Sequence, residues 1–320
     1  MNLIQLRYFS KVADLKNLTH AAEALHISQP ALTRQMNLLE SELGTVLFLR
    51  HARGIQLSEA GLTLRDRAEV ILRLVSEAHA ELSRDKVPAG SIRIGFPPSI
   101  GGLLLASIAG TLQRQMPHLS LQLVEGLSHL QQEWLLNDRV DLALMTALEP
   151  NPLLVSHPLC EEAIWMVSRA GAGEAPPTAY TIEDVARRRL IQTNRNNIMR
   201  QLLERAAREK GLSLDIAMEI DALPVIKDLV KIGAGSHVSP YSGLIGDIRR
   251  GEMIGGPIKD LTITRVMVHR LDRPVSQSVL AIMDVARKEI ARVAAESGNQ
   301  MRPFRVIDPA TKPQPAHISA

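Results

Sequence analysis

Leu3, Leu6, Phe9 and Val12 recur at helical spacing and predict a first amphipathic helix ending near Asp14. Asn17-Leu18-Thr19 breaks that pattern, and Thr19 reads as the N-cap of a short Ala-rich helix over Ala21 to Leu25. Ser28 caps a third helix, whose first turn accommodates Pro30 because a missing N–H costs nothing there. Along it Leu32, Met36, Leu39 and Leu43 follow a 4-3-4 rhythm that turns them toward a core. The opposite face carries Gln29, Pro30, Thr33, Arg34 and Asn37.

A short helix, a tight break and a second helix with one polar face make a helix-turn-helix. That geometry delivers the second helix into the major groove of DNA. Arg matches guanine O6 and N7, and Gln matches adenine or a phosphate. The bland alternative is the solvated face of an ordinary helix; the cap, the proline and the preceding helix together favour recognition. After Gly44, two short apolar strands flank the basic turn Arg50-His51-Ala52-Arg53-Gly54 and predict a wing. Arg53 at its tip suits a narrow minor groove, whereas Arg50 meets a phosphate or braces the fold.

From Leu62 to about Lys86 neither Pro nor Gly occurs. Leu64, Ala68, Ile71, Val75, Ala78 and Leu82 alternate by 4 and 3, a heptad seam. At ~1.5 Å per residue the helix is on the order of 35 Å long, enough to hold two recognition modules apart in a dimer. The same stripe could instead pack on its own domain. Val87-Pro88-Ala89-Gly90 ends the helix as a hinge.

Beyond Ser91, strands alternate with helices: Ile92–Phe96, a helix over 101–115, Ser120–Glu125, a helix over 129–137, then Val140–Met145. The pattern restarts with Leu190–Gln192, helix 197–210, strand 214–220, helix 224–232, strand 237–239, strand 263–269 and a last helix over 275–295. This order predicts α/β lobes built on parallel sheet. Residues 301–320 read as a disordered tail.

Composition narrows the class. The chain has 320 residues, too many for one ordinary core, and 45% hydrophobic residues. A net charge of +3 does not announce nucleic-acid binding by itself, so the placement of basic residues carries that argument. The single Cys160 excludes a disulfide framework and a Cys-rich zinc site, and the ten scattered His show no metal-ligand spacing. No Gly-x-Ser-x-Gly elbow, Walker loop or complete dinucleotide fingerprint is present. We therefore expect no enzyme, no cofactor and no metal. Lacking a secretory n-region and an apolar span, the chain is expected to be cytoplasmic, with no membrane partner.

Ala21-Ala22-Glu23-Ala24-Leu25, Ser28-Gln29-Pro30-Ala31-Leu32-Thr33, Leu39-Glu40-x-Glu42-Leu43-Gly44, Leu47-Phe48-x-Arg50 and Leu57-Ser58-x-Ala60-Gly61 together resemble the signature of LysR-type transcriptional regulators. The resemblance implies an N-terminal winged helix-turn-helix (1–61) that binds promoter DNA through Gln29, Pro30, Thr33, Arg34 and Arg53. It also implies a linker and dimerisation helix (62–90), with dimers that pair into tetramers. The third part is a C-terminal two-lobe effector domain (91–300) of the periplasmic-binding-protein fold. Its lobe I would be about 91–162 and 269–300, and its lobe II about 163–268. Thr33 stands where Ser is commoner in the family.

Ligands in such folds lie at the carboxyl ends of parallel strands, near helix N-termini. Two turns of lobe I fit, Pro97-Pro98-Ser99-Ile100-Gly101-Gly102 and Gly126-Leu127-Ser128-His129, together with Gln192-Thr193-Asn194-Arg195 of lobe II. Ser99, Ser128, Thr193 and Arg195, flanked by Pro98, Ile100 and Pro240, form a clamp for a small carboxylate effector. Helix capping is the alternative role of these hydroxyls, and the two roles are compatible. Gly233-Ala234-Gly235 matches the family's glycine loop, but polar Ser236 and His237 replace apolar residues of that wall. For residues 91–296 the rival reading is a sensor whose main role is solute binding, which leaves residues 1–86 without use.

Overall fold

Asn2 starts the first helix: its side chain accepts the Gln5 N–H at 2.9 Å, while Gln5 Oε1 accepts the Asn2 N–H at 3.0 Å. This reciprocal capping box fixes α1, Leu3–Leu15. The second helix, α2 (Leu18–Ala24), is capped by Asn17 and not by Thr19. Asn17 Oδ1 accepts from Thr19 N at 2.9 Å and His20 N at 3.1 Å, which moves the helix start three residues earlier than expected. Ser28 caps α3 (Gln29–Leu43), and Gly44 closes it in the left-handed region at φ 65°.

The computed structural model describes residues 1–51, 54–82, 90–171, 178–273, 275–296 and 304–307. They form two compact units, Met1–Gly90 and Ser91–Ala320.

In the first unit Leu6, Phe9, Val12, Ala21, Ala22, Leu32, Met36 and Leu39 make one core with Leu47 and Ala68. Leu43, expected inside, is 39% exposed, because the core ends one turn before the helix does. The wing is the antiparallel pair β1 (Phe48–His51) and β2 (Gly54–Leu57). Glu40 Oε1 on α3 accepts the Leu47 and Phe48 N–H groups at 2.7 and 3.1 Å and so ties the wing to that helix.

The long helix α4 spans Glu59–Leu82. The front of its seam serves its own unit: Ala68 is fully buried in that core, with Leu64, Ile71 and Leu72 packed around it. The first turns must cover α1, and that consumes the front of the stripe. Leu62 and Leu74 remain exposed. The expected hinge over 87–90 lies mostly outside the described residues.

Gly61, on the first turn of α4, sits against the wing. A Cβ there would fall 2.2 Å from the Leu47 carbonyl oxygen, a backbone atom that also accepts the Ser58 N–H at 2.9 Å. Gly61→Ala is therefore expected to destabilise the DNA-binding unit by roughly 1–3 kcal/mol through overpacking. Thermal melts of the full chain should show that unit's transition lowered and the other's unchanged.

The second unit is built on a seven-stranded sheet in the order 304–306, 154–169, 253–270, 142–146, 90–96, 119–125, with 237–240 joining 154–169 off this path. Strand β3 (Gly90–Phe96) leads into α5 (Pro98–Ile100), a π-helical turn Gly101–Leu105 and α6 (Ala106–Gln115). Then come β4 (Leu119–Glu125), α7 (Ser128–Leu136), β5 (Leu142–Thr146) and the 16-residue β6 (Leu154–Arg169). The other lobe holds α8 (Ile182–Ala186), β7 (Arg189–Gln192), α9 (Ile198–Glu209), β8 (Asp215–Glu219), α10 (Leu223–Lys231) and β9 (His237–Pro240), from which α11 (Tyr241–Arg249) leads back against α5 and the π-helical turn. The 18-residue β10 (Met253–Arg270) returns to α12 (Gln277–Glu296) and β11 (Phe304–Val306).

Two differences from the expected parallel sheet matter. Only part of it is parallel: β3 pairs β5 in parallel, but β10 runs antiparallel to both β5 and β6. The paired strands β6 and β10 pass through both lobes, Ile164–Val167 meeting β9 and Arg265–Val268 meeting β5. The return crossing falls near residues 263–264: Leu261 and Ile263 still pack in the core of lobe II, whereas Arg265–Val268 belong to the sheet of lobe I. Residues 304–306, placed in the expected disordered tail, form an edge strand on β6, held by Phe304, which is 6% exposed beside Tyr241. No helix among the described residues is long and apolar enough to cross a membrane.

Candidate functional site

The first site is a helix face. With Leu32, Met36 and Leu39 buried, α3 must present the residues between them. Gln29, Pro30, Thr33, Arg34 and Asn37, joined by Leu38, line one shallow open surface. Gln29, Pro30, Arg34 and Asn37 are exposed, whereas the Thr33 hydroxyl is shielded from solvent and has no hydrogen-bond partner. Arg50 lies on β1, paired with Ile55. Arg53 lies outside the described residues, as does the Arg50 side chain.

The second site is a cleft of about 190 Å³ in the second unit, with walls from both lobes. Pro98, Ser99 and Ser128 line it from lobe I, and Thr193 and Pro240 from lobe II. Two expected residues do not take part. Ile100 is fully buried in the main core, because the first turn of the helix faces it inward. Arg195 points away, 79% exposed, with its nearest charge Glu204 at 3.7 Å. Gln192 of the expected lobe II turn and His237 of the expected wall line the cleft too, and so do Thr146, Asp221 and Ser239, which the sequence does not point to. Thr146 could have been found, since it closes β5 at the same end of the sheet where β3 delivers Ser99.

Beneath this floor lies a buried ion pair. Arg265 and Glu162 have side chains 1% and 0% exposed, and Arg265 Nε donates to Glu162 Oε2 at 2.6 Å. The remaining nitrogens of Arg265 reach the cleft's hydroxyls: Nη1 donates to Thr146 Oγ1 at 2.8 Å and Nη2 to Ser99 Oγ at 3.0 Å. Glu162 Oε1 accepts the Ser242 N–H at 2.6 Å, and Ser242 Oγ donates to the Ser99 carbonyl at 2.8 Å. Ser128 Oγ accepts the Thr146 N–H at 3.2 Å. The network links both crossing strands to the turn carrying Ser99. Its partners lie up to 166 residues apart, so no local pattern announces it.

This wiring sets the polarity of the floor. Ser99, Ser128 and Thr146 each accept a protein N–H, so each retains a hydroxyl proton to donate into the cleft. The first turn of α7, beside Ser128, has no side-chain cap. No Lys or Arg lines the cleft among the described residues, and the one carboxylate, Asp221, accepts from Asn194 N at 3.0 Å and Asn194 Nδ2 at 2.6 Å. Arg200, 3% exposed, lies behind the wall, with Nε on Glu204 at 2.7 Å and Nη1 on the Thr193 carbonyl at 3.1 Å. Cys160 is buried in the core, and burial raises its thiol pKa far above the ordinary value. The described residues contain no group of three or more His, Cys, Asp or Glu that could hold a metal ion.

Comparison with known proteins agrees with both halves. Residues 3–62 match the bacterial regulatory helix-turn-helix protein, lysR family, and residues 85–291 match the LysR substrate binding domain. The chain is 30% identical to the nitrogen assimilation regulatory protein nac of Klebsiella aerogenes, over 76% of this chain and 79% of that protein. It is 28% identical to the HTH-type transcriptional regulator BbuR of Bordetella bronchiseptica, over 91% and 90%. Full-length CbnR in complex with its target DNA shares the fold with a TM-score of 0.68, at 21% identity, over 90% of this chain and all of that one. A full-length OxyR variant from Pseudomonas aeruginosa does so with a TM-score of 0.66, at 20% identity, over 95% and 98%. The chain therefore belongs to the LysR family, as a DNA-binding transcriptional regulator with a LysR substrate binding domain.

Proposed function

We propose that this regulator reads promoter DNA with the polar face of α3 and is controlled by a small organic carboxylate held between the lobes of its second unit. The observation that carries the effector class is the set of three hydroxyls, Ser99, Ser128 and Thr146. Each has one lone pair engaged by a protein N–H and its proton left to donate. Such donors, beside the free N–H groups at the start of α7, suit a carboxylate. The absence of a lining cation among the described residues favours a single carboxylate over a polyanion.

Gln29, Arg34 and Asn37 then face base edges, Pro30 and Thr33 offer apolar contact, and Arg50 and Arg53 of the wing meet the flanking backbone and minor groove. The protein acts as a homodimer, and as tetramers of those dimers, so that two α3 helices meet half-sites about one DNA turn, ~34 Å, apart. Effector binding favours one arrangement of the lobes, and the oligomer converts that into altered half-site spacing and DNA bend.

The test is calorimetry with the full chain over a panel of small monocarboxylates, paired with gel-shift and DNA-bending assays. For an acid that binds, Ser128→Ala is expected to weaken binding roughly tenfold, the worth of one hydrogen bond to a charged group. Unchanged affinity in that variant would remove the hydroxyl floor from the site. A panel in which no acid binds or alters DNA bending would remove effector control by carboxylates.

A further inference from the structure

The lobe II wall has the opposite polarity to the floor. His237, at the start of β9, is 3% exposed and lines the cleft. Its Nδ1 stands 2.8 Å from the Ile191 carbonyl oxygen. A carbonyl only accepts, so Nδ1 carries the ring proton and Nε2 carries a lone pair. The ring makes no second hydrogen bond among the described residues. Burial, against a smaller opposing effect of the Ile191 hydrogen bond, pushes its pKa down to about 4, so the imidazole is neutral near pH 7. On the same wall, the Thr193 hydroxyl has no hydrogen-bond partner.

Resting on the carboxylate reading above, we infer that His237 is a specificity-determining acceptor, and that the effector is a small carboxylate with an O–H or N–H donor at the end remote from its carboxylate. The carboxylate engages the hydroxyl floor of lobe I, and the remote donor satisfies His237 Nε2 on lobe II. An acid without that donor buries the Nε2 lone pair unpaired when the cleft closes on it, and is rejected for that reason. Ser236, the residue before it, is likewise polar and buried. The Ser236 hydroxyl is already satisfied by Ser168 at 2.7 Å, so His237 is the one of the pair left to meet the ligand.

The experiment compares matched acids by calorimetry on the full chain: butanoate, 4-hydroxybutanoate and 4-aminobutanoate, and benzoate, 4-hydroxybenzoate and 4-aminobenzoate. In at least one series the donor-bearing acid is expected to bind tenfold or more tightly than its parent. The hydroxyl and amino arms show which donor the wall takes. In His237→Phe that preference is expected to vanish, with the parent acid binding no worse. In His237→Gln, whose amide oxygen approaches the place of Nε2, part of it should return. Circular dichroism of both variants checks their fold, and the wild-type comparison needs neither. Parent and donor-bearing acids that bind the wild type equally would overturn the inference while leaving the carboxylate floor in place. So would a preference that survives in His237→Phe. If none of the six acids binds, the carboxylate reading itself falls, and this one with it.

Discussion

Arg265→Ala is expected to unfold the second unit at markedly lower urea concentration, with a loss of about 3–5 kcal/mol. The residue is 1% exposed and occupies the centre of the interlobe network. Its removal leaves Glu162, at 0% exposure, with the Ser242 N–H as its remaining hydrogen-bond donor. It also strips the donors from Thr146 Oγ1 and Ser99 Oγ. The cost lies in the uncompensated buried carboxylate more than in the lost attraction. An ion pair taken out of water regains its desolvation penalty only through good geometry and added hydrogen bonds, both present here. The double variant Arg265→Met, Glu162→Met should consequently recover most of the loss. It should nevertheless fail to bind effector, because the hydroxyl floor is no longer oriented. Denaturation of the full chain, following the second unit's own transition, gives the double-mutant cycle directly. A single variant costing less than about 1 kcal/mol, or a double variant less stable than the single, would contradict this account of the pair.

Arg34→Ala should cost about 1–3 kcal/mol in binding a duplex selected by the protein itself from a random library. Arg34 is exposed on the one face of α3 that Leu32, Met36 and Leu39 leave outside, beside Gln29 and Asn37. A guanidinium there can grip guanine O6 and N7 together, and no other base pair presents that pair of acceptors. The loss on a scrambled duplex should be much smaller, and the salt dependence nearly unchanged. Fluorescence anisotropy on both duplexes at two salt concentrations separates the cases. Equal losses on both, with the salt slope lowered by about one, would make Arg34 a phosphate contact.

Local chemistry was legible in the chain wherever one residue and its near neighbours decide the conformation. Ser28, Pro30 and Gly44 mark the two ends of α3 because capping is settled within four residues. The strand-to-helix turns at Ser99 and Ser128 could be located by the same means, and both serines line the cleft. Asn17 and not Thr19 caps α2: either side chain can cap, and only the backbone path chooses between them. Strand β6 was nearly invisible: His157, Pro158, Glu161 and Glu162 interrupt its apolar pattern, yet pairing with β10 along most of its length supplies what periodicity does not. Three-residue β11 has no period to detect, and it exists because Phe304 has a buried place beside Tyr241.

The sequence alone determined a helix-turn-helix with a wing, a long helix and an alternating α/β half, since caps, turns and hydrophobic spacing are short-range properties of the chain. Tertiary structure decided which of those parts meet. It spent the front of the α4 stripe on that helix's own unit, turned Ile100 inward and Arg195 outward, and brought Arg265 to Glu162 across 103 residues. It also chose which nitrogen of His237 carries the proton, through a carbonyl 46 residues away in the chain. Such pairings depend on how sheets and lobes close in three dimensions, and nothing in the spacing of neighbouring residues encodes them.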